Sequence, residues 1–406
     1  MSTHQAIELA EKYGAHNYHP LPIVIAHAEG VWVTDPEGKR YMDMLSAYSA
    51  LNQGHRHPRI VQALVDQAGR CTLTSRAFHN DRLGEFLGTL CEVTGFEAAL
   101  PMNTGAEAVE TAIKAARKWG YQKKGVAKGK AEIIVCADNF HGRTTTIVGF
   151  STEDQYKEGF GPFTPGFVVV PFGDIDALAA AFNENTVAFL VEPIQGEAGI
   201  NVPPAGYLAA ARALCDRHGA LLIADEIQTG FGRTGKLFAF EHEGIRPDGV
   251  TVGKALGGGV FPVSAFLASW DVMGVFNPGD HGSTFGGNPL GCAVGQASIE
   301  VLVEERLVEA SAAMGDYFMH ELRKIDSPHV HEIRGRGLFI AVEVKASSGS
   351  ARPFCEALMD RGLLCKETHQ QVIRFAPPLT ITKEEVDWAL GHVREVLSAE
   401  VVAKAG

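Results

Sequence analysis

The stretch ALLIADEIQTGFGRTGK, residues 220–236, says more about the fold than any other part of the sequence. It begins as a near-continuous apolar run and ends that run at Asp225 and Glu226. An apolar run without alternation predicts a strand buried on both faces, as in a parallel sheet covered by helices. Carboxylates at the end of such a strand lie where open α/β folds bind their ligands. The stretch therefore predicts both a buried sheet and a site at one of its edges.

Similar apolar runs recur along the chain and alternate with helical patterns. The predicted strands are residues 132–137, 167–171, 187–193, 220–225 and 263–269. The predicted helices are residues 58–69, 82–93, 104–120, 174–183, 204–218, 289–303, 304–325, 351–362 and 383–400. This alternation predicts an α/β fold with a mostly parallel central sheet.

The pattern changes towards both ends of the chain. The start predicts a short helix and then a hairpin, whose turn is Asp35-Pro36-Glu37-Gly38. Beyond about residue 295, two long helices precede short strands around 329–334, 337–344 and 371–375. We therefore predict an N-terminal segment (1–45) that packs with the small domain, a large domain (46–295) and a small α+β C-terminal domain (296–406).

Composition and charge narrow the class of protein. The 406 residues are 46% hydrophobic and 21% charged, which is typical of a globular enzyme. No apolar run approaches the roughly 20 residues that a membrane-spanning helix needs. The net charge of -12 argues against nucleic acid as the main partner, because phosphate contacts need clustered Lys and Arg. Seven cysteines without a CxxC pair and an N-terminus without a signal pattern predict a reducing, cytoplasmic location.

A second candidate site residue is Lys254 in the stretch PDGVTVGKALGGGVFP, residues 247–262. Most lysines are solvated surface residues. This lysine instead follows a short apolar stretch and precedes Gly257-Gly258-Gly259, and glycines let the backbone approach a ligand closely. A lysine held at a strand end against a cofactor is what a Schiff base requires.

Two more stretches allow both a structural and a functional interpretation. Thr104 and Glu107 have the spacing of a capping box, which is either a well-made helix start or a site for an anion such as phosphate. Phe140 stands in the segment Asn139-Phe140-His141-Gly142-Arg143, directly after a predicted strand. An aromatic ring there can stack on a planar ligand or pack in the core.

Taken together, these stretches resemble the class III, or ω-, aminotransferases among the fold-type I pyridoxal-phosphate (PLP) enzymes. The resemblance covers almost the whole chain and depends on the order and spacing of NTGAEAVETAIKAARKW, FHGRT, VEPIQGEAG, LLIADEIQTGFGRTGK, VTVGKALGGG and HGSTFGGNPLGCA. Within that family, AHNYHPLPIV, YMDMLSAYSALNQGHRHP and TLTSRAFHN are similar to the branch that acts on ornithine, with His79 where that branch has Tyr.

The resemblance implies a role for each site residue toward the cofactor. Lys254 would form the Schiff base with PLP and move the reacting proton, and Asp225 would pair with the pyridine nitrogen. The other cofactor contacts would come from Thr104, Gly105, Ala106, Phe140, His141, Glu192, Gln228, Ser283 and Thr284. Because Thr284 would act in the site of the neighbouring subunit, the resemblance also implies a homodimer with a shared active site.

The same resemblance implies that small amino acids and 2-oxo acids are the substrates. The substrate contacts would be Tyr48, Phe78, Arg143, Glu197 and Arg374. An arginine matches a carboxylate through two parallel hydrogen bonds. Glu197 would pair with Arg374 while ornithine presents its δ-amine, and would release Arg374 to bind the α-carboxylate of 2-oxoglutarate. The alternative interpretation is that Glu197 and Arg374 form a structural ion pair.

Other functions are open to the same residues. Within the family, N-acetylornithine or 4-aminobutyrate is an alternative donor, and a PLP-binding regulatory or scaffold protein is another alternative. The segment Gly230–Lys236 is close to the phosphate loop GxxxxGK[ST] of nucleotide hydrolases, but Leu237 stands where the magnesium-binding hydroxyl belongs. His55 and His57 form a short HxH pair without further ligands nearby in sequence, so we predict no metal site.

Overall fold

The computed structural model describes residues 1–399, which form three β-sheets surrounded by helices. The strands are β1 (His27–Glu29), β2 (Trp32–Thr34), β3 (Arg40–Asp43), β4 (Ala98–Met102), β5 (Glu132–Cys136), β6 (Phe167–Val170), β7 (Thr186–Val191), β8 (Leu221–Asp225), β9 (Gly249–Val252), β10 (Ser264–Ala268), β11 (Val330–Arg336), β12 (Phe339–Val344), β13 (Leu363–Leu364), β14 (Lys366–Thr368) and β15 (Val372–Phe375). The helices are α1 (Thr3–Tyr13), α2 (Ser46–Ser49), α3 (Pro58–Ala68), α4 (Leu83–Thr94), α5 (Gly105–Trp119), α6 (Thr145–Gly149), α7 (Ile175–Ala181), α8 (Tyr207–His218), α9 (Trp270–Met273), α10 (Pro289–Glu304), α11 (Leu307–Leu322), α12 (Arg352–Asp360) and α13 (Lys383–Leu397). In this described part of the chain, no helix has both the length and the apolar character needed to cross a membrane.

The largest sheet has seven strands in the order β4-β10-β9-β8-β7-β5-β6. Strands β5 to β9 pair in parallel with their neighbours, whereas β10 runs antiparallel to both β9 and β4. Every residue of β7 and β8 is buried, as their continuous apolar runs predict. The predicted α/β fold with a mostly parallel sheet is confirmed.

Four inner strands of this sheet deliver polar residues to one edge. Asn139–Arg143 follow β5, and Glu192 follows β7 directly. Asp225 is the last residue of β8, and Lys254 stands just beyond β9. Because these four strands are parallel, their carboxyl ends lie at the same edge, where open sheets of this kind bind ligands.

The predicted helices and strands are all present, with ends that differ by a few residues. Residue 400, at the end of the last predicted helix, lies outside the described residues. In the central sheet the prediction missed β4 and β9, and outside it the short strands β1, β13 and β14 were not predicted. Pro101 interrupts β4, and β9 has only four residues and begins with Gly249, so both lack the long apolar run that marks β7 and β8.

Two four-stranded sheets lie outside the central one. The order of one is β11-β12-β15-β14, with antiparallel neighbours, and the order of the other is β1-β2-β3-β13. The predicted hairpin is confirmed as β2 and β3, and β13 pairs in parallel with β3, which joins the start of the chain to its C-terminal part. Helix α10 runs unbroken across the predicted boundary at residue 295. The boundaries after residues 45 and 295 stay predictions.

Candidate active site

Lys254 faces a cavity of about 200 Å³ at the carboxyl edge of the central sheet. Its backbone has a φ of 44°, in the left-handed region that costs an L-residue roughly 1–2 kcal/mol. Strain of this kind persists only where the surroundings enforce it, and it is concentrated at functional sites. The cavity is lined by Gly105, Ala106, Phe140, His141, Gly142, Glu192, Ile194, Asp225, Ile227, Gln228, Thr229 and Lys254. The structure therefore gathers most of the predicted cofactor contacts around one space.

Asp225 is a buried carboxylate held by three donors. Its Oδ1 atom accepts hydrogen bonds from Thr251 Oγ1 at 3.0 Å and from the backbone N–H of Ile227 at 3.1 Å. Its Oδ2 atom lies 2.6 Å from Nδ1 of His141. These contacts fix the orientation of the carboxylate at the cavity wall. Thr251 is a supporting residue that the sequence analysis missed; its place on β9, three residues before Lys254, is the only signal for it.

His141 is the buried partner of Asp225. Burial opposes its charging, but the hydrogen bond and charge of Asp225, with the charge of Glu192, outweigh burial and raise the pKa of His141. Its Nε2 atom is buried and has no hydrogen-bond partner within residues 1–399. His141 lines the cavity, so an unsatisfied polar atom stands beside the space that a ligand would fill.

Glu192 supports the residue that carries the candidate stacking ring. Its Oε2 atom accepts a hydrogen bond from the backbone N–H of Phe140 at 2.9 Å. Burial raises the pKa of Glu192 to about 7, with His141 opposing the rise and Asp225 adding to it. The contact fixes the backbone at Phe140, whose ring lines the cavity.

The N-terminus of α5 forms another wall of the cavity. The predicted capping box is confirmed: Thr104 accepts from the N–H of Glu107, and the Glu107 side chain accepts from the N–H of Thr104 at 2.9 Å. These contacts use the hydroxyl of Thr104, which is exposed, and leave the N–H groups of Gly105 and Ala106 directed along the helix start. A Cβ at Gly105 would lie 3.0 Å from Cδ1 of Ile227, so a larger residue would require that side chain to shift. Such a helix start is suited to a phosphate.

An ion pair lies beside Gln228, one of the residues that line the cavity. Arg374, buried on β15, donates from Nη1 to Glu197 Oε1 at 2.8 Å, and Gln228 Nε2 donates to the same oxygen at 3.1 Å. Burial opposes the ionisation of Glu197, but Arg374, with Lys254 and Gln228, lowers its pKa to about 2. Glu197 is therefore a carboxylate at neutral pH, and it neutralises Arg374.

Lys254 and Tyr48 lie beside this ion pair. Burial lowers the pKa of Lys254; the charge of Glu197 opposes this effect, and that of Arg374 adds to it. The ring centroid of Tyr48 is 5.4 Å from Cζ of Arg374, and the carbonyl of Tyr48 accepts from Gln228 Nε2 at 3.4 Å. The predicted substrate residues Tyr48, Glu197 and Arg374 are thus neighbours.

Arg143 rests on a residue that the sequence analysis missed. Its Cζ atom is 4.0 Å from the ring centroid of Tyr156 and 5.6 Å from that of Phe140. Tyr156 ends a short 3-10 turn that begins at Asp154. A guanidinium stacked on aromatic rings keeps its N–H edge available for a carboxylate.

Eight predicted site residues are not among those that line the cavity: Tyr48, Phe78, Thr104, Arg143, Glu197, Ser283, Thr284 and Arg374. Phe78 and Thr284 are exposed. The Oγ atom of Ser283 accepts from Asn103 Nδ2 at 2.9 Å and from the N–H of Gly286 at 3.0 Å, so it supports the segment before α5. Exposure in one subunit is what a residue that acts in a neighbouring subunit would show, and these roles stay predictions.

The segment Gly230–Lys236 is not a phosphate loop. Arg233 is buried and donates to the carbonyls of Leu338 and Pro377. At Gly235, a Cβ would lie 2.9 Å from the backbone of Ala312 on α11. No helix begins where the loop would direct its N–H groups, since the next element is the 3-10 turn 239–243. The likeness to a nucleotide-binding motif was therefore misleading, because the segment packs between elements rather than around a ligand.

The HxH pair has separate partners. Nε2 of His55 lies 2.8 Å from Oδ2 of Asp43, and Nε2 of His57 lies 3.0 Å from Oε1 of Glu305. In the part of the chain that the structure describes, no group of three or more His, Cys, Asp or Glu is arranged to hold a metal ion.

The cavity has the donor set that PLP requires. A helix start suits the phosphate, the fixed carboxylate of Asp225 suits a protonated pyridine nitrogen, and Lys254 offers an amine to the aldehyde. The ring of Phe140 suits stacking on a planar heterocycle. The unsatisfied Nε2 of His141, a residue that lines this space, indicates that the space is built for a ligand.

Comparisons with known proteins agree with this chemistry. The family model "Aminotransferase class-III" matches residues 13–397. The ornithine aminotransferase of Brevibacillus brevis is 62% identical over 395 residues, which cover 97% of this chain and 98% of that protein. A crystal structure of ornithine aminotransferase from Toxoplasma gondii, with PLP at partial occupancy in its active site, has a TM-score of 0.96 and 44% identity, covering 98% of this chain and 94% of that one. The acetylornithine aminotransferase of Elizabethkingia anophelis has a TM-score of 0.88 and 47% identity, covering 98% and 99%.

Proposed function

The chain belongs to the class-III aminotransferases, which use PLP, and we propose that it transfers the δ-amino group of L-ornithine to 2-oxoglutarate. The products would be glutamate and glutamate 5-semialdehyde, which cyclises to pyrroline-5-carboxylate. The names of the Brevibacillus brevis relative and the Toxoplasma gondii structure support ornithine as the donor.

One observation carries the choice of a terminal amine. Arg374 is the buried arginine beside Lys254, and Glu197 occupies it at 2.8 Å. While that pair is intact, Arg374 does not attract the α-carboxylate of a donor. A diamine such as ornithine would then lie with its δ-amine towards Lys254 and its α-amino and carboxyl groups near Tyr48.

The cofactor, when bound, supplies an electron sink for the carbanion formed at the donor carbon. Lys254 would hold PLP covalently and then carry the proton at its Nζ atom. Since burial lowers the pKa of Lys254, the neutral amine that accepts a proton forms more easily than that of a lysine in water. Asp225, fixed by Thr251 and His141, would keep the pyridine nitrogen protonated.

The acceptor half-reaction needs two carboxylate sites. Arg143, stacked on Tyr156, would bind the distal carboxylate of 2-oxoglutarate. Glu197 would leave Arg374, which then binds the α-carboxylate. Movement of one side chain would thus let a single cavity accept a δ-amine in one half-reaction and an α-oxo acid in the other.

The donor is tested by initial rates with ornithine, N-acetylornithine and 4-aminobutyrate at equal concentrations. N-acetylornithine is the second candidate, since the Elizabethkingia anophelis structure named for it is 47% identical. We expect ornithine to react fastest and to yield a cyclic imine product. Faster turnover of either rival would contradict ornithine as the donor.

The assembly and location belong to the same proposal. The exposure of Phe78, Thr284 and Phe285 supports a homodimer in which these residues meet the partner's site. The seven cysteines are free thiols, which supports a reducing, cytoplasmic location. Size-exclusion chromatography with light scattering would test the dimer, and a monomer with full activity would contradict it.

A further inference from the structure

The turn that carries Tyr48 has an unusual backbone. Ser46, Ala47, Tyr48 and Ser49 have φ values of 51°, 47°, 60° and 72°, so α2 is a left-handed turn without a glycine. L-residues disfavour this conformation, and consecutive left-handed residues are rare. Such a turn persists only if its surroundings hold it.

Asp43 holds the start of this turn. Its Oδ1 atom accepts from the N–H groups of Leu45 at 2.8 Å and Ser46 at 2.9 Å. Its Oδ2 atom lies 2.8 Å from Nε2 of His55, and both side chains are largely buried. One carboxylate therefore fixes the chain on the side where the left-handed residues begin.

The same segment is tied to the strand that carries Arg374. The carbonyl of Met44 accepts from the N–H of Ala376 at 2.7 Å, two residues beyond Arg374, and the N–H of Met44 donates to Leu364 at 2.8 Å. At the other end, Gln228 bonds both the carbonyl of Tyr48 and the carboxylate of Glu197. The turn and the Glu197–Arg374 pair are thus set relative to each other.

We infer that Asp43 is a positioning residue for the amino donor, since it holds the left-handed turn Ser46–Ser49 that fixes Tyr48 beside the Glu197–Arg374 pair. Without this carboxylate, the turn relaxes towards favoured backbone angles and the Tyr48 ring leaves its place. The inference rests on the proposed function in one respect, the placing of Tyr48 against the amino donor.

The first test compares Asp43→Ala with Asp43→Asn. The amide oxygen of Asn can still accept both backbone hydrogen bonds, whereas Ala removes them. We expect Asp43→Ala to raise the KM for the donor roughly tenfold, as for the loss of a hydrogen bond to a charged group, with kcat changed less than about twofold. The donor KM of Asp43→Asn should stay within about threefold of the parent value. Equal effects of the two changes, or a loss confined to kcat, would overturn the inference.

A second test asks whether Asp43 acts through Tyr48. Residues that act through one another give non-additive effects in a double-mutant cycle. In a Tyr48→Ala background, Asp43→Ala should raise the donor KM by less than about twofold. A full tenfold rise in that background would show a separate role for Asp43. The cycle uses whichever ω-amino donor reacts fastest, so a wrong assignment of ornithine would leave this test valid.

Ala47→Gly tests the turn itself, should Asp43→Ala fail to fold. Ala47 is exposed, so glycine removes little packing and relieves the positive φ. Because glycine adopts a positive φ at little cost, Asp43→Ala combined with Ala47→Gly should fold and keep the donor KM within about threefold of the parent. Arg306→Gly is the matched control: Arg306 is exposed, has a φ of 54° and does not line the cavity. A donor KM still about tenfold above the parent in the combined variant, or an equal recovery when Arg306→Gly replaces Ala47→Gly, would overturn the inference.

Discussion

Tyr156 lies under the guanidinium of Arg143, with 4.0 Å between the ring centroid and Cζ. The two residues are far enough apart in sequence that no local pattern links them. The stack restricts an otherwise flexible arginine that directly follows the cavity-lining residues His141 and Gly142. In the proposed acceptor half-reaction, it would hold Arg143 ready for the distal carboxylate of 2-oxoglutarate.

Removal of this stack should weaken binding of the oxo acid. A cation–π contact at an exposed site contributes about 0.5–1 kcal/mol, so Tyr156→Leu should raise the KM for 2-oxoglutarate roughly two- to fivefold. Tyr156→Phe keeps the ring and is the matched control, with a KM near that of the parent. Steady-state kinetics at saturating donor measure both. Equal effects of the two changes would show that the ring does not position Arg143.

Substitution of Glu197 should change the choice between donors. Glu197→Ala frees Arg374 to bind an α-carboxylate, so glutamate should gain relative to ornithine. Loss of a hydrogen bond to a charged group corresponds to about 1.5–3 kcal/mol, so we expect a ratio of kcat/KM values that shifts at least about tenfold. Glu343→Gln, which changes a partner of Arg334 outside the cavity, is the control and should leave the ratio unchanged. An unchanged ratio for Glu197→Ala would show that the Glu197–Arg374 pair has only a structural role.

Buried Glu226 should make stability depend on pH. Burial raises its pKa to about 7 from an ordinary value of 4.5. The folded chain therefore keeps a proton that the unfolded chain releases, so its stabilising contribution is complete below pH 4.5 and is lost as pH rises through 7. The free energy of unfolding falls by about 3 kcal/mol at most over this pH range. Denaturant unfolding at several pH values should show a shallower decline for Glu226→Gln. Glu92→Gln, an exposed control, should follow the parent, and a parallel decline in all three proteins would contradict the account.

Thr284 should serve the site of the neighbouring subunit. Thr284→Ala removes one hydroxyl from the proposed phosphate site, so PLP should dissociate more readily, roughly tenfold in Kd. A mixed dimer combines one Thr284→Ala subunit with one Lys254→Ala subunit. If Thr284 acts across the interface, one of its two sites contains both native Lys254 and native Thr284. Co-expression with separate affinity tags should therefore yield heterodimers that bind PLP as tightly as the parent at one site. Weak binding at that site would place Thr284 in its own subunit or outside the site.

Sequence patterns predicted the central sheet because its inner strands β7 and β8 are near-continuous apolar runs. Residues 187–191 and 221–224 are apolar throughout and buried throughout, so composition and burial carry the same information. The positions of Asp225 and Lys254 followed, since each stands at a strand end. Strands β4 and β9 were not predicted because both are short, and because Pro101 interrupts the apolar run of β4 and Gly249 shortens that of β9.

Features that depend on distant contacts could not be predicted in the same way. The stretch Ser46–Ser49 has no Gly or Asn to indicate left-handed residues. Its conformation depends on Asp43, three residues before the turn, and on Gln228, which is remote in sequence. Tyr156 is a common residue in an irregular segment. The Glu197–Arg374 contact joins β15 to the loop after β7, and only the resemblance to a family indicated it.

The most direct measurement is reduction of the PLP-loaded protein with borohydride, followed by mass analysis of its peptides. The account predicts one pyridoxyl group on the peptide that contains Lys254, and none in Lys254→Ala. Attachment to another lysine, or no attachment in a protein that still transaminates ornithine, would contradict it.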